Sequence, residues 1–519
     1  MKKTFVSLLC ALSALSLAAQ DRAEYVNPVI RGDIPDPTVI RIGSTYYAAG
    51  TSSEWAPFYP LFTSKDLVNW TQVGHIFDRQ PAWTVNSFWA PELFYHNGKV
   101  YCYYTARERA TGMSYIGVAV ADSPTGEFVD HGLIVRHGKE AIDAFVFDDG
   151  GQLYISWKAY GLENRPIELM AARLSSDGLR VEGEPFTLLT DDERVGMEGQ
   201  CHFKQGDYYY LVYASHGCCG FNSDYDVCVA RSRSFAGPYE IYEGNPILHG
   251  GEGDFQSCGH GTMVESPDGR MFYLCHAYVS GNGFFVGRQP ILQEMELTAD
   301  GWLRFKGGDL ARARRPMPFG GTEQALPAGF EDDFDADKLK VDWSWNYPYA
   351  DVDAAFRHGK LHLSGRLKEG SRQGVALCVR AQSPDYACET RVQNRGKSLK
   401  GLTLYGDDGN LLVWGVSDGR YLLKQVRDGQ ESVLYEAPCP DASPRLRFTL
   451  AGGTGLRFYY YDDGGAGWTS VRRDLFDGRD LLRWDRVQRP GLFQSGDESE
   501  PGVFDYFKLT NVSGGSGNP

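Results

Sequence analysis

The sequence predicts an all-β protein in which a five-bladed β-propeller is followed by a β-sandwich of the jelly-roll kind. The first observation is an internal repeat, whose units open near residues 36, 90, 143, 198 and 260. The second is a different series of short strand patterns that starts near residue 330. Aromatic residues make up 13% of the chain and glycines number 61, a composition typical of strands joined by tight turns.

Each repeat unit has the same outline. A polar or charged residue opens it, a turn follows, and then come an aromatic strand and a strand of small and β-branched residues. The third unit shows this in DAFVFDDGGQLYISWKAY, from Asp143, and IELMAARLSSDGLRVEG. Asn97-Gly98, Asp149-Gly150 and Asp268-Gly269 supply hairpin turns, because these residue types accept a positive φ at low cost. A unit of roughly 50–60 residues suits one four-stranded propeller blade.

These patterns divide the chain. Residues 1–19 form a predicted signal peptide, with Lys2 and Lys3 before an apolar stretch and Ala18-Ala19 at its end. Residues 20–306 form the propeller, 307–329 a Pro- and Gly-rich linker, 330–512 the sandwich, and 513–519 a disordered tail. The protein is therefore expected to be exported, to the periplasm or the extracellular space. No second long apolar run follows this stretch, so the sequence predicts no membrane span.

Charge and cysteine content narrow the class of partner. The formal net charge is −15, and no basic stripe is present, so nucleic acid and anionic membranes are not expected partners. A neutral substrate suits this charge. The 11 cysteines contain no CxxC pair, which argues against a zinc site. In an exported protein a disulfide among Cys218, Cys219, Cys228 and Cys258 is allowed, and the sequence leaves its pairing open.

The repeat also predicts a site. Equivalent positions of a propeller repeat lie around one axis, so the residues that open the units should converge at one mouth of the central channel. Those residues are Asp36, the Trp89–Glu92 region, Asp143, Glu198 and His260. Glycoside hydrolysis needs two carboxyl groups in different protonation states, and a third carboxylate can raise the pKa of the acid. Three carboxyl groups in register fit this chemistry.

Five motifs, in order, resemble those of glycoside hydrolase family 43. They are NPVIRGDIPDP, FWAPELFYHNGKVYCYYT, IDAFVFDDGGQLYISW, GMEGQCHFKQGDYYYLVYASHG and GHGTMVESPDG with LCHAY and GRQP after it. The resemblance covers about residues 27–306 and implies a five-bladed propeller that hydrolyses arabinose- or xylose-containing polysaccharides with inversion. The segments EDDFDADKLKVDWSWNYP and VFDYFKL resemble the concanavalin-like sandwich appended to many family members.

The resemblance implies a role for each candidate. Asp36 in PDP matches the general base, Asp143 the carboxylate that orients the acid and raises its pKa, and Glu198 the general acid. Asp33 is a rival base, and Asp36 is preferred because it directly precedes the strand pattern.

Substrate contacts are implied at three further positions, Trp89, Arg288 and His260. In many family members the equivalent of His260 lies near a water-coordinated calcium ion. No cofactor is expected to be required, and calcium near His260 is left open.

The predicted activity is removal of terminal α-L-arabinofuranosyl or β-D-xylosyl residues from plant-type polysaccharides or oligosaccharides. Two alternatives stay open at this point. An endo-arabinanase would need an open groove, against which the sandwich weighs. A non-catalytic carbohydrate-binding propeller would have no need of an acid and a base. A further class of enzyme, the invertase-type furanosidases, is disfavoured because its NDPNG-like and RDP motifs are absent from the sequence. The sequence does not indicate an oligomeric state.

Overall fold

The computed structural model describes residues 23–251, 253–320, 323–462, 467–472 and 474–512. The predicted signal peptide and the predicted disordered tail lie outside these residues. Almost every regular element is a β-strand, and the helical elements in the described ranges are two short 3-10 helices, Gly281–Val286 and Arg479–Leu481. Within the same ranges, no helix has the length and apolar character needed to cross a membrane.

Five consecutive antiparallel sheets form the propeller predicted from the repeat. A short strand, β1 (Glu24–Val26), precedes them. Blade 1 contains β2 (Thr38–Ile42), β3 (Thr45–Ala49), β4 (Phe58–Ser64) and β5 (Trp70–Phe77); blade 2 contains β6 (Thr84–His96), β7 (Lys99–Glu108), β8 (Ser114–Ala121) and β9 (Val129–Val135); blade 3 contains β10 (Ala141–Asp149), β11 (Gln152–Ala159), β12 (Ile167–Leu174) and β13 (Val181–Asp191). Blade 4 contains β14 (Met197–Gln205), β15 (Tyr208–Ser215), β16 (Asp226–Ser232), β17 (Glu240–Ile241) and β18 (Leu248–His249); blade 5 contains β19 (Phe255–Glu265), β20 (Met271–Val279), β21 (Arg288–Leu297) and β22 (Leu303–Phe305).

The first strand of each blade packs against the first strands of its two neighbours, so β2, β6, β10, β14 and β19 line the central channel. A separate apolar cluster fills each of the five gaps between blades. Tyr103 and Trp157 are fully buried between blades 2 and 3, for example. Burying large aromatic faces from both blades is the main stabilising contribution to the ring.

The ring is closed by the chain that enters it and the chain that leaves it. Strand β1 pairs antiparallel with β23 (Arg314–Pro316), which follows blade 5. The buried side chain of Asn27 then accepts the N–H of Leu292 (2.8 Å) and donates to the carbonyl oxygens of Leu292 (3.0 Å) and Arg312 (3.2 Å). Blade 1 is therefore fastened to blade 5, which closes the ring.

The C-terminal domain is the predicted sandwich, two antiparallel sheets facing one large apolar core. One sheet is formed by β24 (Gly329–Asp332), β26 (Ala350–Phe356), β27 (Leu361–Leu367), β29 (Tyr386–Val392), β34 (Arg445–Ala451), β35 (Gly455–Asp462), β36 (Gly467–Ser470), β37 (Phe476–Asp477) and β39 (Gly502–Asn511). The other is formed by β25 (Ser344–Trp345), β28 (Val375–Cys378), β30 (Lys400–Asp407), β31 (Asn410–Ser417), β32 (Arg420–Arg427), β33 (Gln430–Pro438) and β38 (Arg489–Gln494).

The sandwich packs on blades 1 and 2 through buried aromatic residues. The Trp55 side chain is buried against the outside of the second sheet, where its ring packs against Tyr405 (5.7 Å between centroids) and lies 4.5 Å from the Arg489 guanidinium. Backbone hydrogen bonds join Ala56 and Trp345 in both directions. This apolar interface fixes the sandwich beside the channel mouth.

Candidate active site

The five innermost strands share one backbone feature, a residue with a positive φ in each strand or just before it. At the channel mouth each has a residue in the left-handed region: Asp36 (φ 52°), Ala90 (φ 41°), Asp143 (φ 59°), Gly199 (φ 60°) and His260 (φ 44°). In β6, β10, β14 and β19 the pairing register shifts at this point, as in a β-bulge. Alanine rarely adopts this conformation, and such backbone strain clusters at functional sites. This conformation brings the side chains of Asp36, Asp143 and His260 together at the axis.

Blade 4 departs from the register that the repeat predicts. Its left-handed residue is Gly199, so Glu198 lies one position earlier than Asp36 and Asp143 in their blades. A Cβ atom on Gly199 would come within 2.5 Å of the His260 ring. Because His260 occupies that space, blade 4 needs glycine there and supplies its carboxyl group from the preceding residue. Trp89, just before Ala90, occupies the equivalent place in blade 2 and is half-buried.

Side chains of neighbouring blades bind the backbone N–H groups of three left-handed residues. Ala90 donates to Oγ1 of Thr51 (2.8 Å), and Asp143 donates to Oγ1 of Thr105 (3.1 Å). Asp36 donates to Nδ1 of His276 (3.0 Å), whose pKa is lowered by burial to about 4. A neutral imidazole can accept this bond. These contacts hold each strained residue against the adjoining blade.

Asp36 is buried and ionised. Its Oδ1 lies 3.3 Å from Nη1 of Arg288, and its Oδ2 accepts a hydrogen bond from Thr51 Oγ1 (2.6 Å). Burial alone would raise the pKa of Asp36, but the Arg288 guanidinium, together with His276 and His260, outweighs burial and holds that pKa far below its usual range. Asp36 is therefore a carboxylate at any physiological pH, the state that a general base requires.

Glu198 lies between a cation and a phenol. Its Oε2 is 2.6 Å from Nζ of Lys158, and its Oε1 accepts a hydrogen bond from the Tyr225 hydroxyl (3.0 Å). Burial would raise the pKa of Glu198, whereas the Lys158 ammonium lowers it below its usual value. The second carboxyl near Lys158 is Glu140, 3.7 Å from Nζ.

Among the described residues no arginine or lysine forms an ion pair with Asp143, and Lys158 acts on it only as a nearby charge. Its Oδ2 accepts the N–H of Gly199 (3.2 Å) and lies 3.7 Å from Nδ1 of His260. Burial raises the pKa of Asp143 to about 7; His260 opposes this rise, while the Glu198 carboxylate adds to it. Because this pKa is raised to about 7, the site keeps a proton up to about neutral pH. That proton belongs to the Asp143–Glu198 pair.

The other predicted residues lie around these carboxyl groups. Nδ1 of His260 is 3.6 Å from Oδ1 of Asp36, so this imidazole stands between Asp36 and Asp143. Arg288 is buried, and its Nη2 donates to the backbone carbonyl of Asp485 in the sandwich domain (3.0 Å). Across the described part of the chain, no three His, Cys, Asp or Glu side chains are grouped to hold a metal ion. Calcium near His260 stays a prediction.

Several residues of the site were not predicted from the sequence. Lys158 appears there only as a single charge inside an apolar strand, and His276 as part of the LCHAY motif. Tyr225 lies outside the five motifs from which the site was predicted. Asp485 gave no signal, because it belongs to another domain and reaches the site only through tertiary packing.

Comparisons with known proteins identify the family of each domain. Residues 25–303 match the family model of glycosyl hydrolases family 43, and residues 331–494 match that of the beta xylosidase C-terminal concanavalin A-like domain. A non-reducing end alpha-L-arabinofuranosidase of Bacteroides ovatus is 29% identical over 387 residues, which cover 70% of each chain. A xylan 1,3-beta-xylosidase of a Vibrio species is 27% identical over 434 residues, covering 77% of this chain and 79% of its own.

The fold is also that of solved structures. The crystal structure of a xylan beta-1,4-xylosidase from Bacillus halodurans superposes with a TM-score of 0.81, covering 94% of this chain and 100% of that one at 24% identity. The family model spans more than half of the chain and includes the three carboxyl groups described above. The chain therefore belongs to glycosyl hydrolase family 43, and it is a glycoside hydrolase.

Proposed function

We propose that the protein is an exported, inverting, exo-acting glycoside hydrolase that removes terminal α-L-arabinofuranosyl or β-D-xylosyl residues from plant-type glycans. The observation that carries this proposal is the division of charge at the channel mouth. Asp36 is held ionised by Arg288, while the Asp143–Glu198 pair retains a proton near neutral pH. One pocket thus contains an ionised base and a proton source, as glycoside hydrolysis requires.

The steps follow from these protonation states. Glu198 takes the proton of the pair and gives it to the glycosidic oxygen as the bond from that oxygen to the anomeric carbon breaks. A water molecule forms the new bond to the anomeric carbon from the opposite face and loses one proton to Asp36. Inversion requires room for this water, which corresponds to about 6.5–9.5 Å between the two carboxyl groups. Asp143 supplies the repulsion that returns the proton to Glu198.

The position of the sandwich supports exo action over endo action. The carbonyl oxygen of Asp485 binds Arg288, and Oδ2 of Asp485 accepts a hydrogen bond from Ser53 of blade 1 (3.4 Å). Arg486 forms an ion pair with Asp485 (2.8 Å). This segment of the sandwich covers one side of the mouth, where an endo-acting enzyme would need an open groove for a continuing chain. The names of the relatives above agree with terminal pentoses.

Two assays test this proposal. Hydrolysis of the 4-nitrophenyl α-L-arabinofuranoside and β-D-xyloside tests which pentose is removed. Hydrolysis of reducing-end-labelled pentose oligosaccharides tests whether the enzyme acts from the chain end. We expect cleavage of at least one glycoside and a monosaccharide as the first product from the oligosaccharides. Labelled fragments of mixed length at early times would instead indicate an endo-arabinanase. Failure to cleave any pentoside would contradict the proposal.

Replacing Lys158 with Met is expected to move the alkaline limb of the kcat/KM–pH profile upward by about one unit. Lys158 lowers the pKa of Glu198, so its removal raises that pKa, and the acid stays protonated to higher pH. The acidic limb reflects ionisation of the base and should not move. Lys99→Met, which removes an exposed ammonium paired with Asp122 on blade 2, is the matched control. An unchanged or lowered alkaline limb would show that Lys158 does not act on the acid.

A further inference from the structure

The loop between β15 and β16 contains a disulfide between adjacent cysteines, Cys218 and Cys219. The sequence left four cysteines open as partners; Cys228 and Cys258 are free and buried in the structure. Hydrogen bonds close the loop on itself. Oδ1 of Asp224 accepts the N–H of Gly217 (2.8 Å), and the Ser223 hydroxyl lies 3.0 Å from the carbonyl oxygen of Gly217. The half-buried disulfide is therefore held in one place on the surface.

This loop is attached to the catalytic groups at two points. At its C-terminal end, the Tyr225 hydroxyl donates to Glu198 (3.0 Å). In its middle, the N–H of Gly220 donates to the hydroxyl of Tyr278 (3.2 Å). Tyr278 is paired with Arg288 across β20 and β21, and Arg288 binds Asp36. The loop is thus joined to the acid through Tyr225 and to the base through Tyr278 and Arg288, which places the disulfide beside the mouth.

A tryptophan of the sandwich domain meets the same loop. Trp484 is 66% exposed, the largest exposed fraction among the exposed large hydrophobic side chains of the described residues. A Cβ atom on Gly220 would lie 3.7 Å from its Cδ1 and 3.5 Å from its carbonyl oxygen, so Trp484 borders the loop directly. The next residue, Asp485, binds Arg288. An indole held at the mouth and left open to solvent is suited to bind a ligand.

We propose that Cys218, Cys219, Gly220 and Trp484 form a leaving-group ledge, a surface on which the sugar next to the scissile bond packs. The inference rests on the proposed function. Glu198 protonates the oxygen of the leaving sugar, so that sugar must lie next to Glu198, which the loop of the ledge contacts through Tyr225. Sugar rings present C–H faces that pack on flat apolar surfaces, and an indole beside a disulfide supplies one. The fixed loop makes the ledge rigid before the sugar binds.

Calorimetric titration in a Glu198→Gln background tests the ledge, because bound sugars then stay intact. The ligands are the terminal pentose alone and a disaccharide that carries this pentose on a second pentose. We expect the disaccharide to bind about tenfold more tightly than the monosaccharide, and this gain to fall to about twofold or less when Trp484→Ala is added. The affinity for the monosaccharide should change little, which a general loss of structure would not allow.

Val433→Ala is the matched control, since Val433 is 56% exposed on β33, in a different part of the sandwich. The tighter binding of the disaccharide, relative to the monosaccharide, should persist in that variant. A gain that survives Trp484→Ala would overturn the ledge while leaving the proposed function intact. If neither sugar binds to the Glu198→Gln protein, the proposed pentose specificity itself fails, and the ledge loses its ligand.

A dithiol reductant tests the contribution of the disulfide. The Cys218–Cys219 bond takes up two electrons and two protons to become two thiols, while the dithiol is oxidised to its cyclic disulfide. We expect reduction, verified by thiol titration, to lower the disaccharide gain at least threefold in the Glu198→Gln protein. The variant that also carries Cys218→Ser and Cys219→Ser should have the low gain from the start and not respond to the dithiol. If the disaccharide still binds more tightly by the same factor after complete reduction, the disulfide does not contribute to the ledge.

Discussion

Glu198→Gln is expected to lower kcat on pentose disaccharides by about 10²–10⁴-fold, the usual contribution of a general acid. Glutamine has the shape of the carboxyl group and can still accept the Tyr225 hydrogen bond, but it has no proton to give to the leaving oxygen. Because the substrate is still held by the other groups, KM should change much less than kcat. Steady-state kinetics on a disaccharide measures both parameters.

The dependence on the leaving group distinguishes loss of the acid from general damage to the site. An aryl leaving group of low pKa needs little protonation, so the deficit should shrink on a dinitrophenyl pentoside. A deficit of equal size on both substrates would contradict the role of Glu198 as the acid.

Glu92→Gln is the matched control for this prediction. Glu92 is buried in β6, where its Oε2 accepts a hydrogen bond from Thr38 Oγ1 (2.7 Å). Burial raises the pKa of Glu92 to about 8, so its carboxyl group is neutral at pH 7 and an amide can replace it. We expect activity within a few-fold of the parent enzyme for this variant. A loss as large as that of Glu198→Gln would mean that kcat reports on channel packing rather than on acid catalysis.

Asp36→Asn is expected to lower kcat by about 10²–10⁴-fold on every substrate, whatever its leaving group, because water then lacks its proton acceptor. Azide, a nucleophile that needs no base, should restore turnover and give a glycosyl azide of inverted configuration. The variant should also unfold more easily, since the buried Arg288 loses the carboxylate 3.3 Å away; breaking a buried ion pair costs about 3–5 kcal/mol. Thermal unfolding and activity in azide separate the two effects.

The rival base, Asp33, provides the comparison for Asp36. Its Oδ1 accepts the backbone N–H of Arg288 (3.0 Å), and burial raises the pKa of this carboxyl group. Asp33 therefore positions β21 through its backbone. We expect Asp33→Asn to retain the leaving-group dependence of the parent enzyme and to gain nothing from azide. Rescue of Asp33→Asn by azide, without rescue of Asp36→Asn, would reverse the two assignments.

The periodicity of the sequence was enough to predict five blades and the convergence of Asp36, Asp143 and His260. These residues share one left-handed position in their blades, and such a position keeps its place in every repeat. The one-residue offset of Glu198 could not be predicted in this way. It arises because the His260 ring excludes a side chain at Gly199, a contact between blades that no repeat pattern contains.

The protonation states of the carboxyl groups could not be predicted from the sequence, for a similar reason. The sequence places three carboxyl groups together but does not show which cation lies beside which carboxylate. Lys158 comes from the second strand of blade 3 and Arg288 from the third strand of blade 5, and only the packed ring brings them to Glu198 and Asp36. The sandwich was predicted as a domain, yet its contact through Asp485 depends on how the two domains pack.

The configuration of the first-formed sugar tests the central claim most directly. Asp36 as base and Glu198 as acid, with water between Asp36 and the anomeric carbon, allow a single displacement. Proton NMR during early hydrolysis of the cleaved pentoside, before mutarotation, should show the anomer opposite to that of the substrate. Initial release of the same anomer would indicate a covalent intermediate, which is incompatible with Asp36 acting as a base toward water.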